Sequence, residues 1–257
     1  MNQMLRDIIA HKRATMSAVL AAAPDPPDSP RLPFRERLLK GIPGTSIIAE
    51  IKKGSPSRGV MVENFDPALI AEQYAEGGAV ALSVLTDEKY FFGAAENVKL
   101  AKNVSDCPIL CKDFFIDPLQ MNWARTIGAD AVLLIVRILS DQQLCELIAA
   151  ANEAKLDVLV EVHNEAELER AQRAESNLIG VNNRDLETFA VDIEVSIRLG
   201  KSLPENIPAV AESGIRNRRD IERLKEAGYS AFLVGETLMM AENRVSALRI
   251  LQGESVL

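Results

Sequence analysis

IIAEIKKGSPS, residues 47–57, is the stretch from which the rest of the chain can be read. Ile47, Ile48, Ala49 and Ile51 form an apolar run too short for a helix, and it reads as a buried strand. Side chains alternate along a strand, so Glu50 and Lys52 share one face, while Lys53 takes the opposite one, toward solvent. Burying an ionised group is expensive unless it is paired, so a carboxylate and an ammonium at the end of a buried strand need a partner or a function. Gly54 and Pro56 then break the strand. The polar, cationic segment KKGSPSRG (52–59) reads as a mobile flap able to reach an anionic group on a ligand.

Seven further runs repeat the pattern: VALSVLT (80–86), PILCKDFF (108–115), AVLLIV (131–136), DVLVEV (157–162), LIGVN (178–182), PAVAES (208–213) and AFLVG (231–235). Helical patterns lie between them, including 66–78, 117–130, 140–155, 164–175 and 217–228. Several open on Asp, Ser or Asn at the N-cap, two with Pro next, where its missing N–H costs nothing. GGAVALSVL, GADAVLLIV and GYSAFLVG each turn from a helix-ending Gly into a buried strand. Eight such units predict an α/β fold with a parallel sheet. Their number, and the lack of a GxGxxG fingerprint after the first strand, favour closure into a single (β/α)8 TIM barrel over an open sheet.

The barrel is expected over residues 46–257, with residues 1–45 as an N-terminal helical extension packed on it. That extension comprises a helix near 2–22, a Pro-rich run at 23–33 and a short helical piece at 34–41. The spacing of Leu5, Ile8, Ile9 and Met16 supplies the apolar stripe for that packing.

The chain has 257 residues, 47% of them hydrophobic and 26% charged, which suits one barrel of roughly 250 residues. A net charge of -8 argues against a nucleic-acid partner, which needs a clustered basic face. It does not exclude a small phosphorylated ligand, since a few local cations and backbone N–H groups suffice for phosphate. Cys107, Cys111 and Cys145 lack the spacing and histidine partners of a zinc site, so no metal is expected, and they read as reduced thiols. No run approaches the roughly 20 apolar residues of a membrane span, and the N-terminus lacks a secretory signal pattern. These readings place the protein in the cytoplasm, as a monomer or weak homo-oligomer.

Charge recurs where strands end. Lys112 closes ILCK, Glu161 closes LVE, Asn182 closes IGVN, and Glu212 and Ser213 close AVAES. One Lys or Glu at a strand terminus is more often solvated or ion-paired than catalytic. In a barrel, though, the C-terminal strand ends converge on one rim, and these groups become a coupled network. A lysine beside carboxylates stays protonated and can serve as an acid, and a carboxylate beside a lysine stays ionised and can accept a proton. AESGI (211–215) and LVGET (233–237) place Gly214 and Gly235 after the last two strands, where many barrels bind phosphate.

These segments, together with LTDEKYFFG (85–93), ILCKDFFID (109–117), LVEVHNEAEL (159–168), GVNNRDLETF (180–189) and FLVGETLM (232–239), resemble the indole-3-glycerol phosphate synthase family of tryptophan biosynthesis over nearly the whole chain. The resemblance implies conversion of 1-(2-carboxyphenylamino)-1-deoxyribulose 5-phosphate to indole-3-glycerol phosphate, with release of carbon dioxide and water and without a cofactor. It implies Lys112 as general acid and Glu161 as general base. Glu50 would orient acid and substrate, Asn182 would stabilise the intermediate, and Lys52 would contact the substrate's anionic groups. Glu212 and Ser213 fall at supporting and substrate-binding positions. Ser55, Arg184, Gly214, Gly235 and Glu236 align with the phosphate cradle, and Phe91, Phe114, Leu133 and Leu186 with the pocket for the anthranilate ring. Asn183 and Glu236 stand where the family can carry Ser. Since a carboxylate repels phosphate, Glu236 is expected to offer its backbone N–H and turn its side chain away. Two rivals remain. A phosphoribosylanthranilate isomerase-like barrel would need a Cys near the end of the first strand, where Glu50 and Lys52 stand, and Cys111 should face away from Lys112. A non-catalytic phosphate-binding barrel would need only the cradle, not an acid and a base.

Overall fold

A computed structural model describes residues 3–21, 31–40 and 45–254. Among these, eight parallel strands close into a barrel: β1 (Ser46–Ile51), β2 (Ala81–Leu85), β3 (Ile109–Lys112), β4 (Ala131–Ile135), β5 (Asp157–Val162), β6 (Ile179–Asn182), β7 (Ala209–Glu212) and β8 (Ala231–Val234). Each pairs with its neighbours in chain order, and β8 closes on β1 with Ser46 opposite Ala231 and Ala49 opposite Val234. Every one of the eight expected runs is a barrel strand.

Strand alternation sorts the side chains into two cores. Ile47, Ala49, Ile51, Leu82, Val84, Ile109, Cys111, Val132 and Val160 face outward and pack against the helices. Ile48, Ala81, Leu110, Ala131, Leu133, Leu159, Val210 and Leu233 fill the barrel interior. Each inner row continues by one more inward residue at the C-terminal end, and that residue is polar in β1, β3, β5, β6 and β7. Register sets these residues side by side, with Glu50 opposite Ser83, Leu85 opposite Lys112 and Asn182 opposite Glu212.

The intervening helices start where their caps predict. Asp66, Ser140, Asn164 and Asn217 each accept a backbone N–H from the first turn, and Ser140 and Asn217 complete reciprocal capping boxes. At 117–118 the expected start moves by one residue. Pro118 is itself the cap of Leu119–Thr126, and Asp117 accepts from Leu119 N–H at 2.9 Å.

The extension divides between the two ends of the barrel. The Pro-rich expectation at 23–33 falls largely outside the described residues, as do residues 41–44. The short helix Phe34–Lys40 closes the bottom. Phe34 and Leu38 are buried in the interior core, Leu38 O accepts from Ser46 Oγ at 2.9 Å, and Asp157, which opens β5, binds Arg35 N–H at 2.9 Å and Arg31 at 2.6 Å. The longer helix Gln3–Ala21 reaches the opposite end. Leu5, Ile8 and Ile9 join the cluster containing Phe114 and Leu133, and Lys12 Nζ binds Asp113 at 2.6 Å and Asp87 at 3.3 Å, beyond β3 and β2. No helix among the described residues is long and apolar enough to cross a membrane.

Candidate active site

The C-terminal strand ends surround a cavity of about 530 Å³. Glu50, Lys52, Lys112, Glu161, Asn182 and Ser213 all line it. So do Phe91, Phe114, Leu133 and Leu186 on one side, and Arg184, Gly214, Gly235 and Glu236 on another. Two expected residues stand off the wall. Glu212 is fully buried behind Lys112, and Ser55 pairs with Gly59 in a small hairpin (Gly54–Ser55 with Gly59–Val60) while Ser57 and Arg58 face the cavity in its place.

The charged residues form one continuous network. Lys112 Nζ lies 3.0 Å from Glu212 Oε2 and 3.2 Å from Glu50 Oε2, while Glu50 Oε1 binds Lys52 Nζ at 2.5 Å. Burial opposes ionisation of Glu50, but the two ammonium groups prevail and hold its carboxyl down at about 2. Burial likewise opposes the charge on Lys112, and the carboxylates Glu212, Glu50 and Glu161 overcome it, raising the amine above its ordinary range. Glu212 goes the other way. Burial, with like charge from Glu161 and Glu50, outweighs Lys112 and pushes its carboxyl up to about 7. Glu161 is also opposed by burial, but His163, Lys112 and Asn182 pull it below the usual carboxylate range.

Two glycines explain how such side chains fit. A Cβ on Gly235 would stand 2.2 Å from Glu50 Oε1, and one on Gly180 would stand 2.2 Å from Glu212 Oε1. Gly235 is therefore needed first as room for Glu50, a reason distinct from approach to phosphate. Ser213 and Gly214 follow β7 in left-handed conformations, with φ of 66° and 80°, which turn the chain sharply at the cavity wall.

Phe91 and Phe114 lie with ring centroids 6.1 Å apart and make an apolar face with Leu133 and Leu186. At the cationic rim the Glu236 expectation is corrected. Its carboxylate does not turn from the cradle but pairs with Arg58 of the flap and lies 3.9 Å from Arg184. Two guanidinium groups draw the carboxylate toward them, and because the Arg58 pair is exposed the attraction is modest.

Sequence reasoning missed Lys12, Asp87, Asp113, Arg58 and His163. Lys12 interrupts the apolar stripe of Leu5, Ile8 and Ile9, and this was the available signal. His163 lies two residues beyond Glu161, just past the end of β5. Cys111 is buried in the outer core, on the side of β3 opposite Lys112.

A closed (β/α)8 barrel with an amine–carboxylate network, an apolar wall and a cationic rim around one cavity defines a barrel enzyme. Comparison with known proteins narrows the class. The family model described as indole-3-glycerol phosphate synthase matches residues 3–251. The chain is 48% identical over 250 residues to the indole-3-glycerol phosphate synthase of Koribacter versatilis, covering 96% of this chain and 95% of that one. It is 46% identical over 261 residues to that of Acidithiobacillus ferrooxidans, covering 97% and 98%. Among solved structures, 3-hexulose-6-phosphate synthase from Salmonella typhimurium superposes with a TM-score of 0.66 at 13% identity, over 81% of this chain and 97% of that one, a likeness of fold alone. The chain belongs to the indole-3-glycerol phosphate synthase family.

Proposed function

We propose that the chain closes the indole ring of 1-(2-carboxyphenylamino)-1-deoxyribulose 5-phosphate, with Lys112 as acid and Glu161 as base. The observation that carries this reading is the pairing of Lys112, kept protonated between Glu50 and Glu212, with an ionised Glu161 in the same cavity.

The aryl carbon bearing the carboxylate attacks the substrate ketone, and Lys112 protonates the oxygen as the new carbon–carbon bond forms. The bond to the carboxylate then breaks, carbon dioxide leaves, and its electron pair restores the aromatic ring. The new hydroxyl departs as water on a second proton from an ammonium group, and Glu161 takes one proton from the five-membered ring. Two protons given and one taken match the net uptake of one proton in decarboxylation.

Glu50 orients both lysines, Asn182 and Ser213 contact the reacting part of the substrate, and Glu212 sets the charge around Lys112. Phe91, Phe114, Leu133 and Leu186 hold the anthranilate ring. Arg184, Arg58, Gly214 and Gly235 receive the phosphate, with Glu236 yielding its guanidinium partners to it. The same reading treats residues 1–45 as an extension of one catalytic barrel over 46–257.

Supplying the carboxyphenylamino deoxyribulose phosphate and following indole absorbance and fluorescence tests the reaction. Lys112→Ala and Glu161→Ala should each lower kcat by about 10²- to 10⁴-fold while KM moves only a few-fold. Near wild-type turnover in either folded variant would remove that residue from its role.

A further inference from the structure

We infer that His163 is a positioning residue for Glu161, a buried imidazolium anchored by Glu167 that keeps the proposed base ionised and aimed at the cavity. This inference rests on the reading of Glu161 as base. Glu161 is the last inward residue of β5 and His163 follows just past the end of that strand, with His163 Nε2 3.3 Å from Glu161 Oε1, a charge contact and not a formed hydrogen bond. On its other side, His163 Nδ1 lies 3.0 Å from Glu167 Oε2, which also accepts the His163 backbone N–H at 2.8 Å.

Glu167 is itself held fast. Its Oε1 accepts from Arg137 Nε at 2.9 Å and from Asn164 Nδ2 at 3.0 Å. These donors, with the imidazolium, keep it ionised despite burial, so it cannot relieve His163 of charge by taking up a proton. Arg137 in turn faces Asp185 at 3.5 Å, in the loop that brings Arg184 and Leu186 to the cavity.

A neutral imidazole donates from one nitrogen only, whereas here both nitrogens face carboxylate oxygens. The protonated ring presents an N–H on each side, hydrogen-bonded to Glu167 and in charge contact with Glu161. Burial lowers its basicity, but Glu161 and Glu167 together outweigh burial and push the imidazole up to about 9. The groups facing Glu161 from other strands are Lys112 on β3, Asn182 on β6 and Glu212 on β7. Of these only Lys112 is a cation, and it is shared with two other carboxylates. His163 does not line the cavity, so its influence on the reaction passes through Glu161.

The chain has only two histidines, His11 and His163, so imidazole NMR signals can be assigned with His11→Gln. In the wild-type protein the His163 signal should titrate near 9. Coupling is reciprocal, so Glu161→Gln should lower that midpoint by about one pH unit or more. His163→Asn should move the acid limb of kcat upward by about one pH unit, a roughly tenfold loss at a fixed acidic pH, with KM held within about threefold. The sign follows from the charge: without the imidazolium, Glu161 takes up a proton at higher pH.

A wild-type His163 titrating at or below its ordinary 6.5 would overturn the inference. So would a folded His163→Asn variant with a lowered melting temperature and an unmoved acid limb. Near wild-type turnover in Glu161→Gln, with a lowered His163 midpoint, would instead overturn the reading of Glu161 as base and leave the ion pair standing.

Discussion

Glu212 offers a quantitative test of the buried charge network. It is fully buried, its Oε2 binds Lys112 at 3.0 Å, and its Oε1 makes no hydrogen bond and occupies the space left by Gly180. Burial and the neighbouring carboxylates push its carboxyl up to about 7 in the fold from an ordinary 4.5. The folded chain therefore keeps this proton longer than the unfolded chain does, and stability falls as pH rises through that interval. At roughly 1.36 kcal/mol per pH unit, the ionised form costs the fold about 3 kcal/mol once the pH exceeds the folded value. Glu212→Gln keeps the shape and an oxygen to accept from Lys112, but removes the titration. Denaturant unfolding of both proteins at pH 5 and pH 8 is the assay. The variant should gain about 2–3 kcal/mol on the wild type between those two conditions, whatever its offset at pH 5. Its turnover should fall above pH 7, where the wild-type carboxyl is ionised and a neutral amide balances the Lys112 charge less well. Parallel stability profiles for the two proteins would refute the reasoning, since they would mean that Glu212 has the same proton affinity folded and unfolded.

Three further outcomes follow from contacts in the same region. Gly235→Ala places a Cβ on the Glu50 carboxylate and must drive it from Lys52 and Lys112, so steady-state kinetics should show kcat down by about 10²-fold, as for a displacement near 1 Å. Glu236→Ser removes the carboxylate that competes with phosphate for Arg58 and Arg184, and KM for the phosphorylated substrate should fall about two- to fivefold, in line with an exposed pair of up to about 1 kcal/mol. Lys12→Met leaves Asp87 and Asp113 buried without their shared cation and should cost roughly 3 kcal/mol by denaturant unfolding, with faster proteolysis of the first helix. Lys12 is raised above 10.5 in the fold, so this contribution is complete below that pH and fades above it.

The period-two alternation of IIAEIKK, repeated across eight apolar runs, was enough to define the barrel and to put Glu50, Lys112, Glu161, Asn182 and Glu212 on its inner face. That much is local: the direction of a strand side chain depends on parity, and one face of a parallel barrel strand can only point inward. The same parity placed Cys111 outward, and both capping residues and helix-ending glycines were legible for the same reason. Pairwise distances were not legible. That Glu212 lies behind Lys112 and off the cavity wall, while Glu161 faces the cavity, depends on strand register and on the space at Gly180. That Lys12 crosses from the first helix to Asp87 and Asp113, and that Arg58 reaches Glu236 across 178 residues, depends on how separate segments dock. The sequence by itself determined which residues would meet at the rim. Only the tertiary structure decided which charges pair, and with them which carboxyl is held near 2 and which is pushed to about 7, because electrostatic energies vary with ångström separations and burial that no spacing along the chain encodes.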